Sequence, residues 1–138
     1  HQDLVRRAAA MYDEVIVAVG INSTKTGFFP MAKRLAWLEV AFDDLANVRV
    51  ESYHGLTVDF CKTAGARVML RGVRNGRDFD YEMAIAQMSR DLNPNIETVL
   101  MLANPAYSHI NSSIVREIIK NKGDVSAFIS HKIDVYED

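Results

Sequence analysis

The 138-residue sequence holds one cysteine, Cys61, which leaves no partner for an intrachain disulfide. A secreted domain stapled by disulfides is therefore excluded, and the reducing cytoplasm is the simplest compartment. No apolar run approaches the roughly 18 residues of a membrane-spanning helix, and no signal-peptide pattern precedes the first helix, so no membrane partner is expected. Basic charge is also short: 16 Lys and Arg stand against 18 Asp and Glu, with no clustering. Nucleic acid, which is bound by a basic stripe that displaces counterions, is not an expected partner either. With three prolines, seven glycines and no repeat or low-complexity tract, nothing divides the chain. A single domain over residues 1–138 is the expectation.

What the sequence does have is apolar residues in short blocks, 49% of the total. A chain of this length buries roughly two thirds of its unfolded surface, enough for a core. Leu4, Val5, Ala8, Met11 and Tyr12 share one side of a helix over 2–12, which leads into the continuous run Val15-Ile16-Val17-Ala18-Val19. Such a run marks a strand covered on both faces, as in parallel sheets, because one-sided strands alternate with polar residues. Pro30 opens a helix carrying Leu35, Leu38, Phe42 and Leu45, followed by a strand over 48–52 and a short helix over 56–64 that Gly65 ends. Val68-Met69-Leu70 is the next strand, then come a long helix over 77–92, a strand over 98–102 and a helix over 112–121. Trp37 and the six methionines fall at helical or strand spacing and are assigned to the core.

Alternation of this kind predicts an α/β fold, a Rossmann-like doubly wound parallel sheet with helices on both faces. Ligands of such sheets bind beyond the carboxyl ends of the strands, so the loops there carry the candidates. The loop after the first strand contains Lys25, a cation for a phosphate but without the spacing of a P-loop. Arg71 and Arg74 leave the third strand around Gly72 and Val73, and a guanidinium fork matches phosphate oxygens in bidentate fashion. Gly72 lets backbone approach a ligand. The alternative for both arginines is pairing with Asp78, Asp80 or Glu82. On the following helix Asp78, Glu82 and Ser89 form a polar stripe, placing Glu82 either at a ligand or with a cation such as Arg90. Tyr107, Ser108, His109, Ile110, Asn111, Ser112 and Ser113 precede or open the last helix, where backbone N–H groups suit a triphosphate. The plainer reading is an N-cap supplied by Ser112 or Ser113. His1 stands at the start of the first helix.

Taken together, the Lys25 loop, His54-Gly55-Leu56-Thr57-Val58-Asp59-Phe60, the R-G-x-R-x-x-x-D-F-x-Y-E run from Arg71 to Glu82, and Ile110-Asn111-Ser112-Ser113 closely resemble the bacterial phosphopantetheine adenylyltransferases. The resemblance runs along nearly the whole chain, with Asn111, Ser89 and Thr57 departing from the common pattern. It implies a nucleotidyltransferase that moves the adenylyl group of ATP onto 4'-phosphopantetheine, with Mg2+, giving dephospho-coenzyme A and pyrophosphate. By the same resemblance His1 is the last histidine of a T/H-x-G-H motif and stabilises the α-phosphate. Lys25, Arg71, Leu56 and Thr57 are implied on the phosphopantetheine side. Gly72, Val73, Arg74, Glu82 and residues 107–113 are implied with His1 at ATP, and Arg116 adds charge one turn later. A homohexamer inhibited by coenzyme A is implied as well. So are a strand and a loop before His1, which makes the chain an expected amino-terminal truncation, inactive or poorly folded as written. A related cytidylyl- or nicotinate-type transferase and a silent nucleotide sensor are the competing readings.

Overall fold

The structure is a computed structural model that describes residues 1–21 and 27–136. Lys25, and with it most of the loop after the first strand, lies outside the described residues. The elements follow as α1 (Gln2–Ala9), β1 (Val15–Ile21), α2 (Met31–Ala41), β2 (Val48–His54), α3 (Thr57–Ala64), β3 (Val68–Val73), α4 (Gly76–Leu92), β4 (Glu97–Leu102) and α5 (Ser112–Lys120), with a 3-10 turn over Pro105–Tyr107 before α5.

Helix and strand alternate as the apolar blocks predict, and among the described residues the strand pairing is parallel. β1 runs beside β2 with Val15 opposite Val48 and Ile21 opposite His54, and β3 runs beside β4 with Val68 opposite Glu97 and Val73 opposite Leu102. Among the described residues the hydrogen bonds make two pairs, β1 with β2 and β3 with β4, and none joins β1 to β3. Periodicity has no means of reporting that division, because it reads each strand alone.

Helix α1 ties the pairs together. It packs on β1, while Leu4 lies against Gly72 of β3 so closely that a Cβ added there would collide with the leucine methyl. Arg7 donates from Nη1 to the Leu102 carbonyl at the end of β4, 2.8 Å away. On the other side Arg6 donates to Asp44 in bidentate fashion, at 2.6 and 3.0 Å, and to the Ala41 carbonyl. Lys132, from the carboxyl-terminal segment, meets Asp43 and Asp44 at the same place.

Helix ends follow local chemistry. Pro30, its φ fixed near −55°, stands at the N-cap of α2, and Gly65 ends α3 in the left-handed region at φ 70°. Asn75 caps α4 by accepting from the Asp78 N–H. The core collects Ala8, Val19, Ala41, Phe42, Val58, Cys61, Val73, Ile96, Met101 and Val125. Burial pushes the Cys61 thiol pKa up, as for an apolar filler. Two sequence expectations fail. The strands are half-buried for most of their length rather than fully covered, and of the methionines Met11, Met83 and Met88 are exposed while Met101 is in the core. Trp37 is half-buried, in edge contact with Phe29.

Helix α4 inverts the usual arrangement. Its buried residues are Glu82 and Ser89, while Phe79, Tyr81, Met83, Met88 and Leu92 are exposed. The polar stripe therefore faces inward, and the reason lies in what Glu82 finds there.

Candidate active site

Arg71 is exposed near the carboxyl end of β3, where strand alternation turns it from the side that takes Leu4 at Gly72. Its Nε donates to Glu82 Oε2 at 2.8 Å and its Nη2 to Oε1 at 2.9 Å. The carboxylate is almost wholly buried, whereas the arginine side chain is 48% exposed. This fork-to-fork pair is the strongest ordinary ion-pair geometry, and the hydrogen bonds to Glu82 raise the Arg71 pKa against the opposing effect of burial. Tyr53 and Tyr81 lie close enough to act on the Arg71 charge. The Tyr53 hydroxyl shares a 2.7 Å hydrogen bond with the Thr57 hydroxyl at the start of α3, and its ring stacks on Phe60. Arg71 with Glu82 and Tyr53 with Thr57 thus make two polar pairs, one from each strand pair, and exposed Leu56 is the N-cap residue of α3.

Arg74 follows the buried Val73 and points elsewhere. Its backbone N–H and Nε both donate to Asp78 Oδ2, at 3.1 and 2.9 Å, and Nη1 reaches the Ile110 carbonyl at 3.4 Å. These bonds hold Asp78 below the ordinary carboxylate pKa and bring the start of α4 against the segment before α5. In that segment Ser108 donates to the Pro105 carbonyl and Ile110 N–H to the Tyr107 carbonyl, while Tyr107 stays exposed. The cap of α5 is Asn111, whose Oδ1 accepts from Ser113 N–H at 2.8 Å and Ile114 N–H at 3.4 Å. Ser112 and Ser113, the residues expected to cap, are instead the first two residues of the helix.

Several sequence readings change here. Gly72 lies within β3, and the close approach it permits is that of Leu4 in place of a ligand. Both arginines take carboxylate partners on α4, Arg71 pairing with Glu82 and Arg74 with Asp78. Arg90 pairs with Glu97 and is no rival for Glu82. Among the described residues no hydrogen bond or ion pair joins the side chains of His1, Tyr107, His109, Ser112 or Ser113 to either arginine. His1 is nevertheless the N-cap residue of α1, one turn from the Leu4 that covers Gly72. Sequence reasoning missed Tyr53, which an alternating strand of mixed polarity gives no means of singling out.

Parallel strands alternating with helices, with two arginines leaving the carboxyl end of β3 toward different segments, make the arrangement of an α/β ligand-binding protein. A model of the cytidylyltransferase-like family matches residues 1–118. The phosphopantetheine adenylyltransferase of Levilactobacillus brevis is 42% identical over 94% of this chain and 80% of its own length. Those of Flavobacterium psychrophilum and Staphylococcus haemolyticus are 42% and 40% identical, over 98% and 97% of this chain and 89% and 83% of theirs. The chain belongs to the phosphopantetheine adenylyltransferase family of the cytidylyltransferase-like proteins.

Proposed function

We propose that the protein transfers the adenylyl group of ATP to the phosphate of 4'-phosphopantetheine, giving dephospho-coenzyme A and pyrophosphate. The observation that carries this reading is the placement of Arg71 and Arg74 at one strand end, facing two different segments, in a chain that matches such enzymes over nearly its whole length. An acceptor phosphate oxygen attacks the α-phosphorus, and the bond to the β-phosphate breaks. No general base is needed, because the phosphate is already ionised at neutral pH. Aligning the two polyanions can account for roughly 7–11 kcal/mol of the barrier. Compensating the growing charge on the α-phosphate is the remaining task.

The acceptor lies on the side of Arg71, with Lys25 as a second cation and Leu56 and Thr57 along the pantetheine arm. Pairing with Glu82 uses the Nε and Nη2 edge of Arg71, and the Nη1 edge stays available to a phosphate. ATP lies toward Gly72, Val73, Arg74 and residues 107–113, with His1 at the α-phosphate. The Arg74 contact with Ile110 supports grouping these segments. Mg2+ accompanies the triphosphate in this reading. Among the described residues no cluster of three metal-ligating side chains occurs, and Glu82 and Asp78 are engaged by arginine. Phosphate oxygens and water are the ordinary ligands of such an ion.

The homohexamer belongs to the same proposal, supported by the outward apolar face of α4, where Phe79, Tyr81, Met83, Met88 and Leu92 are exposed. Coenzyme A carries the phosphopantetheine arm and fits the acceptor side as a feedback inhibitor. Cytoplasmic residence is consistent with the absence, among the described residues, of any helix long and apolar enough to cross a membrane. The test supplies the intact protein with ATP, Mg2+ and either 4'-phosphopantetheine or nicotinamide mononucleotide, and follows pyrophosphate. Release with the first acceptor is expected; release with the second alone overturns the proposal.

A further inference from the structure

His1 is the N-cap residue of α1, and its imidazole makes no capping bond to the helix, so its place is set by how α1 is seated. Two contacts seat α1 on the pair β3 and β4. Leu4 lies on Gly72, the residue that follows Arg71 in β3. Arg7 donates from Nη1 to the Leu102 carbonyl at 2.8 Å, and Leu102 is the register partner of Val73, which precedes Arg74. The same Nη1 donates to Asp3 Oδ2 at 3.2 Å, one turn back toward His1. Two hydrogen bonds on one arginine atom thus link the first turn of α1 to the end of the strand pair that bears Arg71 and Arg74. The leucine and the arginine constrain different motions. Apolar contact is non-directional and leaves a helix free to roll over a glycine, whereas a hydrogen bond to a backbone carbonyl fixes the roll. On the other side Gln2 and Arg6 hold α1 to the end of α2, which locates the helix against α2 and not against the two arginines of the site.

We propose that Arg7 is a positioning residue for the adenylyl transfer: by tying α1 to the Leu102 carbonyl it holds His1 in register with Arg71 and Arg74, without itself touching either substrate. The inference rests on the proposed function, which puts His1 at the α-phosphate, and deepens it. His1 there acts on charge that grows only in the transition state. A displaced His1 therefore lowers kcat and leaves the binding of both substrates nearly as it was.

Steady-state kinetics of the intact protein, with each substrate varied in turn, test it. Arg7→Met keeps the apolar stem and removes the donors. The expected result is a fall of about 10-fold in kcat with each KM changed less than about 2-fold, since a shift of roughly 1 Å in a reacting group is enough for such a loss. Arg7→Lys, whose ammonium is long enough to donate to the same carbonyl, is expected to recover most of the rate. Arg7→Gln, with its shorter arm, is read in the same way if the Met variant does not fold. In a His1→Ala background Arg7→Met is expected to add nothing to the loss of kcat, because the group it positions is gone. Arg6→Ala, which frees α1 from the end of α2, is the matched control and is expected to leave kcat as it is. Unchanged kcat in Arg7→Met, a loss confined to KM, the same fractional loss with and without His1, or an equal loss in Arg6→Ala each overturns the inference while leaving the function intact. A wild-type protein that releases no pyrophosphate with 4'-phosphopantetheine overturns both.

Discussion

The molecule holds two arginine–carboxylate forks of nearly the same geometry in very different settings. Arg6 grips Asp44 at 2.6 and 3.0 Å between α1 and the end of α2, and Arg71 grips Glu82 at 2.8 and 2.9 Å between β3 and α4. Around the first, both partners are exposed and Lys132 adds a second cation; around the second, the carboxylate is buried. Distances alone do not separate an ion pair that fastens surface segments from one that presents a cation to a ligand. Burial of one partner does separate how much each pair matters to the fold, because a buried carboxylate depends on its arginine while an exposed one has water as a substitute.

The largest effect that sharpens this contrast is on acceptor use. Arg71→Ala is expected to raise KM for 4'-phosphopantetheine by roughly 100-fold, about 2.7 kcal/mol, with ATP binding by calorimetry little changed. Arg6→Ala is expected to leave both constants as they are. Next comes Arg74→Ala, which is expected to raise KM for ATP by about 10-fold and spare the acceptor, in keeping with the reach of Arg74 toward Ile110. An acceptor defect in that variant would merge the two sides of the site.

On stability, Glu82→Ala is expected to cost about 1–2 kcal/mol in urea titrations, less than a fully buried pair because Arg71 is already half in water. Asp44→Ala is expected to shift the midpoint by a smaller amount, and an equal shift would abolish the contrast. The smallest effect is in pH. The Arg6 hydrogen bond holds the Asp44 carboxyl well below the usual carboxylate range, so its contribution to stability is present above the unfolded value and is lost as pH falls. Unfolding midpoints of wild type and Asp44→Asn are expected to differ steadily above about pH 4, the value of an unperturbed aspartate, and to draw together progressively as pH falls below it toward the lowered value of the folded state. Convergence on raising the pH instead would contradict that pairing.

The element order was legible from apolar runs, and the end of α3 from Gly65, since only a left-handed residue closes a helix there at little cost. The signature from Arg71 to Glu82 held both partners of the ion pair, with Asp78, Asp80 and Glu82 open as carboxylates, but did not say which one Arg71 takes. That pair joins a strand to the inner face of the next helix, and no local period reports which carboxylate an arginine selects across a turn. Asp78, Asp80 and Glu82 were equal candidates until backbone direction separated them. The same limit applies at α5, where three cap-forming residues stand in a row and Asn111 prevails because it alone keeps extended backbone before the helix. Exposed methionines on α4 were unreadable for another reason: helical spacing records that residues share a face, not which way the face turns.

The contact between Leu4 and Gly72 has a consequence for inheritance. A side chain at position 72 needs Leu4 to change rotamer or be replaced by something smaller, so substitutions at the two positions are not independent events. Sequence drift at the head of α1 is thereby conditioned on a site far along the chain. A lineage that enlarges residue 72 must find the room at residue 4, by a turned leucine or a smaller side chain.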